Sequence, residues 1–439
     1  MNRPLVTLGG TWQFPEPQIM TLTSGMQVWA FDLPGQHIAA LEVVMPTSLV
    51  DEPRSIEGVA TVALHAVDEG TRSHPDGRIS ELLELQGAAL HGGAAQNSTR
   101  LGGDAPAHRL PAVMELLAEV VQEPEFAVAD IEHHTEMQVA SFESRSASPG
   151  WVAKQALRQV LFGSDSRQGR PAAGTPETLK VIGREDVLAW HAAQWGGSNA
   201  TLVLAGDLSG IDLTYALEPL NGWIGRSAPA APETTEPRAP QVVLVDMPDA
   251  VQATIHAGCL TVGRRHPDWA ALKLAGHAMC GAFASRLNLE LRERQGYTYG
   301  VGGGLTARKD DGQFFVGGSF RVEVAADALG RLLRGLELDV PFGDAEILDA
   351  KRFLVGIAPL ANETASDIVR QAAALAAVNE PASFVNEHFA ALEAPSARAV
   401  SEAFRRHIQR DAVSVAISGP AHSLMPSLLA AGLDPVIVS

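Results

Sequence analysis

The segment Arg226-Ser-Ala-Pro-Ala-Ala-Pro-Glu-Thr-Thr-Glu-Pro-Arg-Ala-Pro240 limits what this chain can fold into more than any other feature. It holds four prolines and almost no large apolar residue. Such a composition gives an extended, semi-rigid spacer and not packed structure. A chain of 439 residues is too long for one hydrophobic core. The spacer divides it into an N-terminal domain over residues 1–226, a linker at 227–240 and a C-terminal domain over 241–439.

The two stretches follow one plan. Each opens on alternating, strand-like runs, Met26–Phe31 and His37–Val44 in the first, Gln241–Val245 and Ala253–Gly258 in the second. An Ala/Leu-rich helix follows near Gly58–Val67 and Trp269–Met279, then a second helix leads into glycine-rich strands around Leu90–Arg100 and Tyr297–Thr306. Paired helices come next, and each half closes on a strand, Thr201–Gly206 or Val413–Gly419. Strand runs and helix runs without strict βαβ alternation predict an α+β class: a tandem repeat of two similar domains, each a mostly antiparallel sheet with helices packed on it. Lys309-Asp-Asp-Gly312 reads as a hairpin turn between Tyr299–Thr306 and Gln313–Arg321.

Charge and cysteine content remove several function classes. The formal net charge of −18 argues against nucleic acid or an anionic membrane surface as a partner and is compatible with basic peptides as ligands. Cys259 and Cys280 alone cannot build a disulfide framework or a cysteine-rich zinc module. No run approaches the ~18 consecutive apolar residues of a membrane span. The first residues contain no apolar core of signal-peptide length. The expected location is therefore cytoplasmic, or periplasmic or secreted if a signal segment has been removed.

The stretch from Gly281 to Val301 carries the clearest chemistry. It reads as an amphipathic helix stopped by Gly296 and followed at once by an aromatic, glycine-laced strand. Arg292 falls in the last helical turn and Tyr299 seven residues later. A guanidinium and a phenol delivered to one place can bind a peptide carbonyl or stabilise an oxyanion. Gly300, Gly302 and Gly303 weaken a strand unless another backbone must approach closely, as at an edge open to a peptide. Gly92, Gly93 and Asn97 hold the corresponding place in the first half. Glu132-His-His-Thr-Glu136 is rich in ligand types but reads as a solvated helix face.

The string Ser285-Arg-Leu-Asn-Leu-Glu-Leu-Arg-Glu-Arg-Gln-Gly-Tyr-Thr-Tyr-Gly-Val301 resembles the C-terminal-domain signature of the pitrilysin/insulinase family of zinc peptidases. Gly174-Thr-Pro-Glu-Thr-Leu, Arg184-Glu-Asp-Val-Leu-Ala-Trp-His and Asn199-Ala-Thr-Leu-Val-Leu-Ala-Gly-Asp207 resemble the late part of that family's first domain, so the likeness covers nearly the whole chain. The resemblance implies tandem α+β domains forming one half of a clamshell around a closed chamber. It also implies that Arg292 and Tyr299 hold the substrate carbonyl and the tetrahedral intermediate opposite a zinc ion.

The family's inverted H-x-x-E-H motif is degenerate here. The matching stretch, Gly58–Thr71, has Thr61, Leu64 and His65 where histidine, glutamate and histidine are needed, and the third ligand position falls near Ala140-Ser141. The chain is accordingly expected to bind no metal itself. The resemblance is to the non-zinc, arginine/tyrosine-bearing subunit of a heterodimeric member, mitochondrial-processing-peptidase-like. It implies a zinc-bearing paralogous partner that holds Zn2+, an isolated chain without activity, and short or unfolded peptides as substrates. The alternative is a catalytically silent structural or peptide-binding subunit of a larger assembly.

Overall fold

The computed structural model describes residues 12–225, 238–308 and 310–438. The spacer expected at 227–240 lies outside them except for its last three residues, as does the chain start on which the signal-segment expectation rests. Strands β1 (Gln18–Thr21), β2 (Gln27–Asp32), β3 (Ile38–Met45), β4 (Ala89–Ala95), β5 (Ser98–Pro106) and β6 (Thr201–Gly206) form one six-stranded sheet, in the order β1-β2-β6-β3-β5-β4. Strands β7 (Val242–Asp246), β8 (Gln252–Val262), β9 (Val301–Ala307), β10 (Asp311–Arg321), β11 (Ser414–Gly419) and β12 (Val436–Val438) form the second, in the order β12-β7-β11-β8-β10-β9. The orders correspond strand for strand. The inserted β6 runs parallel to β2 and antiparallel to β3, as β11 runs parallel to β7 and antiparallel to β8. The repeat breaks at one edge, where β1 is antiparallel to β2 but β12 is parallel to β7. The fold is thus α+β with two mixed sheets in tandem.

Helices α1 (Val59–Ala66), α2 (Val128–Ser146), α3 (Pro149–Phe162), α4 (Trp269–Gly276), α5 (Arg286–Asn288) and α6 (Ala365–Ala376) either carry the site or join the halves. The central strands do not alternate between buried and exposed positions. Five of the six β6 residues and all six of β11 are buried. The reason is that both faces of each sheet are covered. One face of the first sheet, with Val28, Leu41, Leu202 and Leu204, packs on α1 and its neighbours. The other face carries Trp29, Phe31, Ala40 and Val203 and is covered by Ile368, Val369, Ala372 and Ala373 of α6, a helix of the second half.

The exchange is reciprocal. Helix α3 lays Ala156, Leu157, Val160 and Leu161 against Val243 and Ala416 of the second sheet. Local sequence sets both helices: Pro149 opens α3, and the Thr364 hydroxyl caps α6 by accepting the Asp367 N–H at 3.2 Å. Alanines on the packed faces let helix and sheet approach closely. No helix among the described residues is long and apolar enough to cross a bilayer.

Two half-buried imidazoles tie stability to pH. Burial pushes His191 down to about 4, only partly offset by the hydrogen bond it shares with the Val121 carbonyl at 3.0 Å. Burial, with Lys273 and Arg264 nearby, likewise pushes His388 down to about 4. From the ordinary value of 6.5 down to about 4, the unfolded chain takes up protons that the folded imidazoles refuse. Stability therefore falls as pH falls through that window. Asp68, raised by burial to about 6, works in the opposite sense, since its folded form keeps a proton that the unfolded chain loses. We expect the melting temperature to drop between pH 6.5 and 4 and the drop to be shallower in His191→Gln. A profile unchanged by that substitution would show that His191 is not held neutral.

Candidate functional site

Helix α4 continues past Gly276 as a π turn, His277–Gly281, closed by the Ala282 N–H donating to the His277 carbonyl at 2.9 Å. The chain then leaves the helical path and re-enters it at Arg286. The single helix expected from Gly281 to Gly296 therefore begins only at α5 and runs on as a second π turn, Leu289–Arg294. Asn288 accounts for the break. Its buried amide donates to the Ala282 carbonyl at 3.1 Å and the Val301 carbonyl at 2.9 Å, and accepts the Val301 N–H at 2.9 Å. One side chain thus gives a second donor to the Ala282 carbonyl, which also accepts the Ser285 N–H at 3.0 Å, and clips the helix to the first residue of β9. Gly296, at φ +63°, ends the helix, with Tyr297 N–H reaching back to the Leu291 carbonyl at 2.9 Å.

Arg292 and Tyr299 project from this clamp, one from the π turn and one from the loop before β9. The Arg292 guanidinium lies 3.5 Å from the centroid of the Phe283 ring, and its Nε donates to Glu293 Oε1 at 2.9 Å. Tyr299 is 98% exposed and Phe283 76%. Among the described residues the Tyr299 hydroxyl has no hydrogen-bond partner, and nothing bonds it to Arg292. Asn288→Ala is expected to cost about 1–3 kcal/mol for each backbone group left unsatisfied. Denaturant unfolding measures this, and an unchanged midpoint would mean that the clip is not needed.

The glycines differ in what they do. Strand β9 is a sheet edge, paired only with β10 among the described strands. A Cβ on Gly303 would stand 2.2 Å from the Phe315 carbonyl oxygen, so that glycine is required by the strand pairing. A Cβ on Gly302 would meet nothing within 4 Å, and one on Gly300 only Asn288 Oδ1 at 3.5 Å. The hairpin is tighter than expected: Gly312 lies within β10 opposite Ala307, and Lys309 is outside the described residues.

In the first half, buried charge fixes α1. Glu52 accepts the Gly58 and Ala60 N–H groups at 3.1 and 3.0 Å and pairs with buried Arg167 at 2.6 Å, while Arg170 holds Glu57 at 2.6 Å. Thr61 and His65 of α1 face a cavity of about 380 Å³. Leu64 is buried against Gly92 instead, its Cδ1 only 2.9 Å from where a Cβ there would sit. Gly93 lines the cavity, whereas Asn97 lies in the β4–β5 turn outside it. Helix α2 contributes Gln138 and Arg145, and Ser141 accepts the Arg145 Nε–H at 3.0 Å.

His65 stacks on His134 at 6.0 Å between centroids, and His134 Nε2 lies 2.7 Å from Glu69 Oε1. Burial first, and His134 second, push the His65 imidazole below its ordinary value. Glu132, His133 and Glu136 are exposed, as a solvated face requires. Every residue lining the cavity lies in the first half, so Arg292 and Tyr299 take no part in it.

The family model described as "Insulinase (Peptidase family M16)" matches residues 28–164, and "Peptidase M16 inactive domain" matches residues 182–351. The chain belongs to the M16 peptidase (insulinase) family. A Mycobacterium tuberculosis protein named as an uncharacterized zinc protease is 26% identical to this M16 chain over 318 residues, 71% of the chain and 72% of the relative. The Helicobacter pylori non-peptidase homolog YmxG is 24% identical over 320 residues, covering 70% and 69%. Subunit 1 of the human cytochrome b-c1 complex is 24% identical over 232 residues, covering 49% and 47%. A crystal structure described as the peptidase M16 inactive domain from Pseudomonas fluorescens superposes with a TM-score of 0.84, at 24% identity over 92% of this chain and 98% of that one. Peptidases and a non-peptidase thus both stand among the relatives of this M16 chain.

The M16 zinc does not fit the residues at α1. A catalytic zinc needs three protein ligands and an open position. Here α1 offers one imidazole, a threonine hydroxyl and the hydrocarbon of Leu64, and Ser141 is already bonded to Arg145. Arg145, Lys154 and Arg158 at the same cavity would repel a dication. Among the described residues only His266, Asp268 and His407 bring three donor side chains within 4.8 Å of one another, and Asp268 there is already bonded by Arg406 at 2.5 Å and His407 at 2.7 Å. Sequence reading missed Asn288 and the cavity's cations. A buried-type position filled by an amide between Leu287 and Leu289 was the available signal for the first.

Proposed function

We propose that this M16 chain is the non-zinc subunit of a two-chain zinc metallopeptidase acting on short or unfolded peptides. The observation that carries the reading is the Tyr299 hydroxyl, exposed and without a partner among the described residues, seven residues after the Arg292 that stacks on Phe283, in a chain whose α1 keeps only one of the metal ligands. A scaffold gains nothing from a phenol held out in water. Tyr299 donates its O–H, and Arg292 its guanidinium after release from Glu293, to the carbonyl oxygen of a bound peptide as negative charge develops there. A paralogous partner supplies the H-x-x-E-H helix and its zinc. The edge of β9, kept open at Gly302, takes the peptide backbone by strand addition, and β4 with Gly92, Gly93 and Asn97 forms the equivalent edge of the first half.

The experiment is affinity capture with the full chain followed by metal analysis. A zinc-containing partner of similar mass, and peptide cleavage only when both chains are present, supports the reading. Cleavage by the partner alone overturns it. A second reading is a catalytically silent subunit of a larger assembly, favoured by the Arg292–Glu293 contact, which occupies the guanidinium, and by the likeness to a non-peptidase homolog and to a b-c1 complex subunit. Capture of a zinc-free partner would support that one.

A further inference from the structure

The cavity beside α1 carries a charge pattern that neither zinc chemistry nor the Arg292–Tyr299 pair uses. Arg145 from α2 and Lys154 and Arg158 from α3 line it, and no carboxylate does. None of the three has a carboxylate partner among the described residues. Arg145 donates to the Ser141 hydroxyl, Arg158 donates Nε and Nη2 to the Gln168 carbonyl at 3.1 and 2.6 Å, and Lys154 has no hydrogen-bond partner among the described residues. In a chain with a net charge of −18, three cations meeting without a counter-charge call for an external one. Burial first, and then Arg167 and Arg308 close by, hold the Arg158 guanidinium below the usual arginine range.

The rest of the lining limits what brings that charge. Trp151 and Phe142 meet edge to face at 5.4 Å and form an apolar wall. Gly93 and Ala94 belong to the edge strand β4, which pairs only with β5 among the described strands. A polypeptide can therefore add to the sheet and turn a side chain into the cavity, which a free ion cannot do. We propose that this cavity binds a carboxylate of an extended acidic peptide laid along the β4 edge, the backbone pairing with β4 and the carboxylate meeting Lys154, Arg145 and Arg158. The site shares the β4 edge with the two-chain peptidase reading, but its demand for a carboxylate requires only this chain and leaves Arg292 and Tyr299 unused.

Fluorescence anisotropy of short, N-terminally labelled peptides with the full-length chain tests this. A glutamate-containing, C-terminally amidated peptide is expected to bind at least about tenfold more tightly than its glutamine counterpart. Added salt should weaken it. A glutamine peptide with a free C-terminus separates a terminal carboxylate from a side-chain one. Tight binding of either acid against the amidated glutamine control supports the site. Lys154→Glu, at an exposed position, is expected to melt like the parent and lose about tenfold in affinity. The double variant Lys154→Ala with Arg145→Ala should lose as much. Equal binding of acidic and neutral peptides, no binding of either, or unaltered affinity in both variants overturns the proposal. So does inorganic phosphate that binds the chain and is not displaced by the acidic peptide.

Discussion

Tyr299→Phe in the reconstituted two-chain enzyme is expected to lower kcat by ~10²–10³-fold, the loss that follows removal of one donor to a developing oxyanion. The substitution deletes only a hydroxyl on a residue that is 98% exposed and has no bond to lose, so the fold and thermal melt should be unchanged. A donor used mainly in the transition state changes kcat and kcat/KM together, whereas one that merely holds substrate raises KM. Arg292→Ala should produce a loss of similar size, but it also removes the stack on Phe283 and the bond to Glu293. Arg292→Lys is the better companion, since it keeps the charge and loses the planar fork. Full activity in Tyr299→Phe and Arg292→Lys together would remove the reason for assigning this chain any chemistry. The silent-subunit reading would then stand.

The second large effect concerns folding. Residues 1–225 and 238–439, expressed as separate chains, are each expected to fail to form a native state alone and to recover it when mixed. Without α3 the second sheet exposes the face that Leu157, Val160, Leu161 and Phe162 cover, and without α6 the first sheet exposes Trp29 and Phe31. Four large side chains at ~1.5–3 kcal/mol each come to about 6–12 kcal/mol, comparable with the ~5–15 kcal/mol that stabilises a typical domain. Circular dichroism and a hydrophobic dye would show compact but poorly packed halves that lose dye binding on mixing. A cooperative melt from either half alone would contradict this.

Much of the architecture could be read from the residues, because local signals dominated there. Strand β6 was legible to the residue in Thr-Leu-Val-Leu-Ala-Gly, and α1 to within one residue of each end. The repeat was legible because two halves with the same order of elements bury the same faces. What could not be read was partnership. The apolar stripes of α3 and α6 announce burial but carry no address, and each is closed by a sheet about eighty residues or more away in sequence. The break before α5 escaped for a related reason. Its cause, Asn288, acts through bonds to Ala282 and Val301 that no helical period encodes.

At the site, the resemblance reads Thr61 and Ser141 in place of metal ligands, Leu64 in place of the base and His65 as the one histidine kept, because a motif defines their spacing. The cations that now surround that place were not. Arg145 lies on one helix and Lys154 and Arg158 on another, and each reads alone as an ordinary surface charge. Only the packing of α2 beside α3 puts them at one cavity.

The exchanged helices also govern how the molecule moves. A protein whose halves meet only through a linker can hinge there, but here each half holds a helix seated on the other's sheet. Swinging one half away would pull α3 and α6 out of their beds together. On the two-chain reading, opening and closing for a peptide would take place at the border with the partner. This chain would move as one rigid jaw, and substrate entry would be timed by how tightly that border holds.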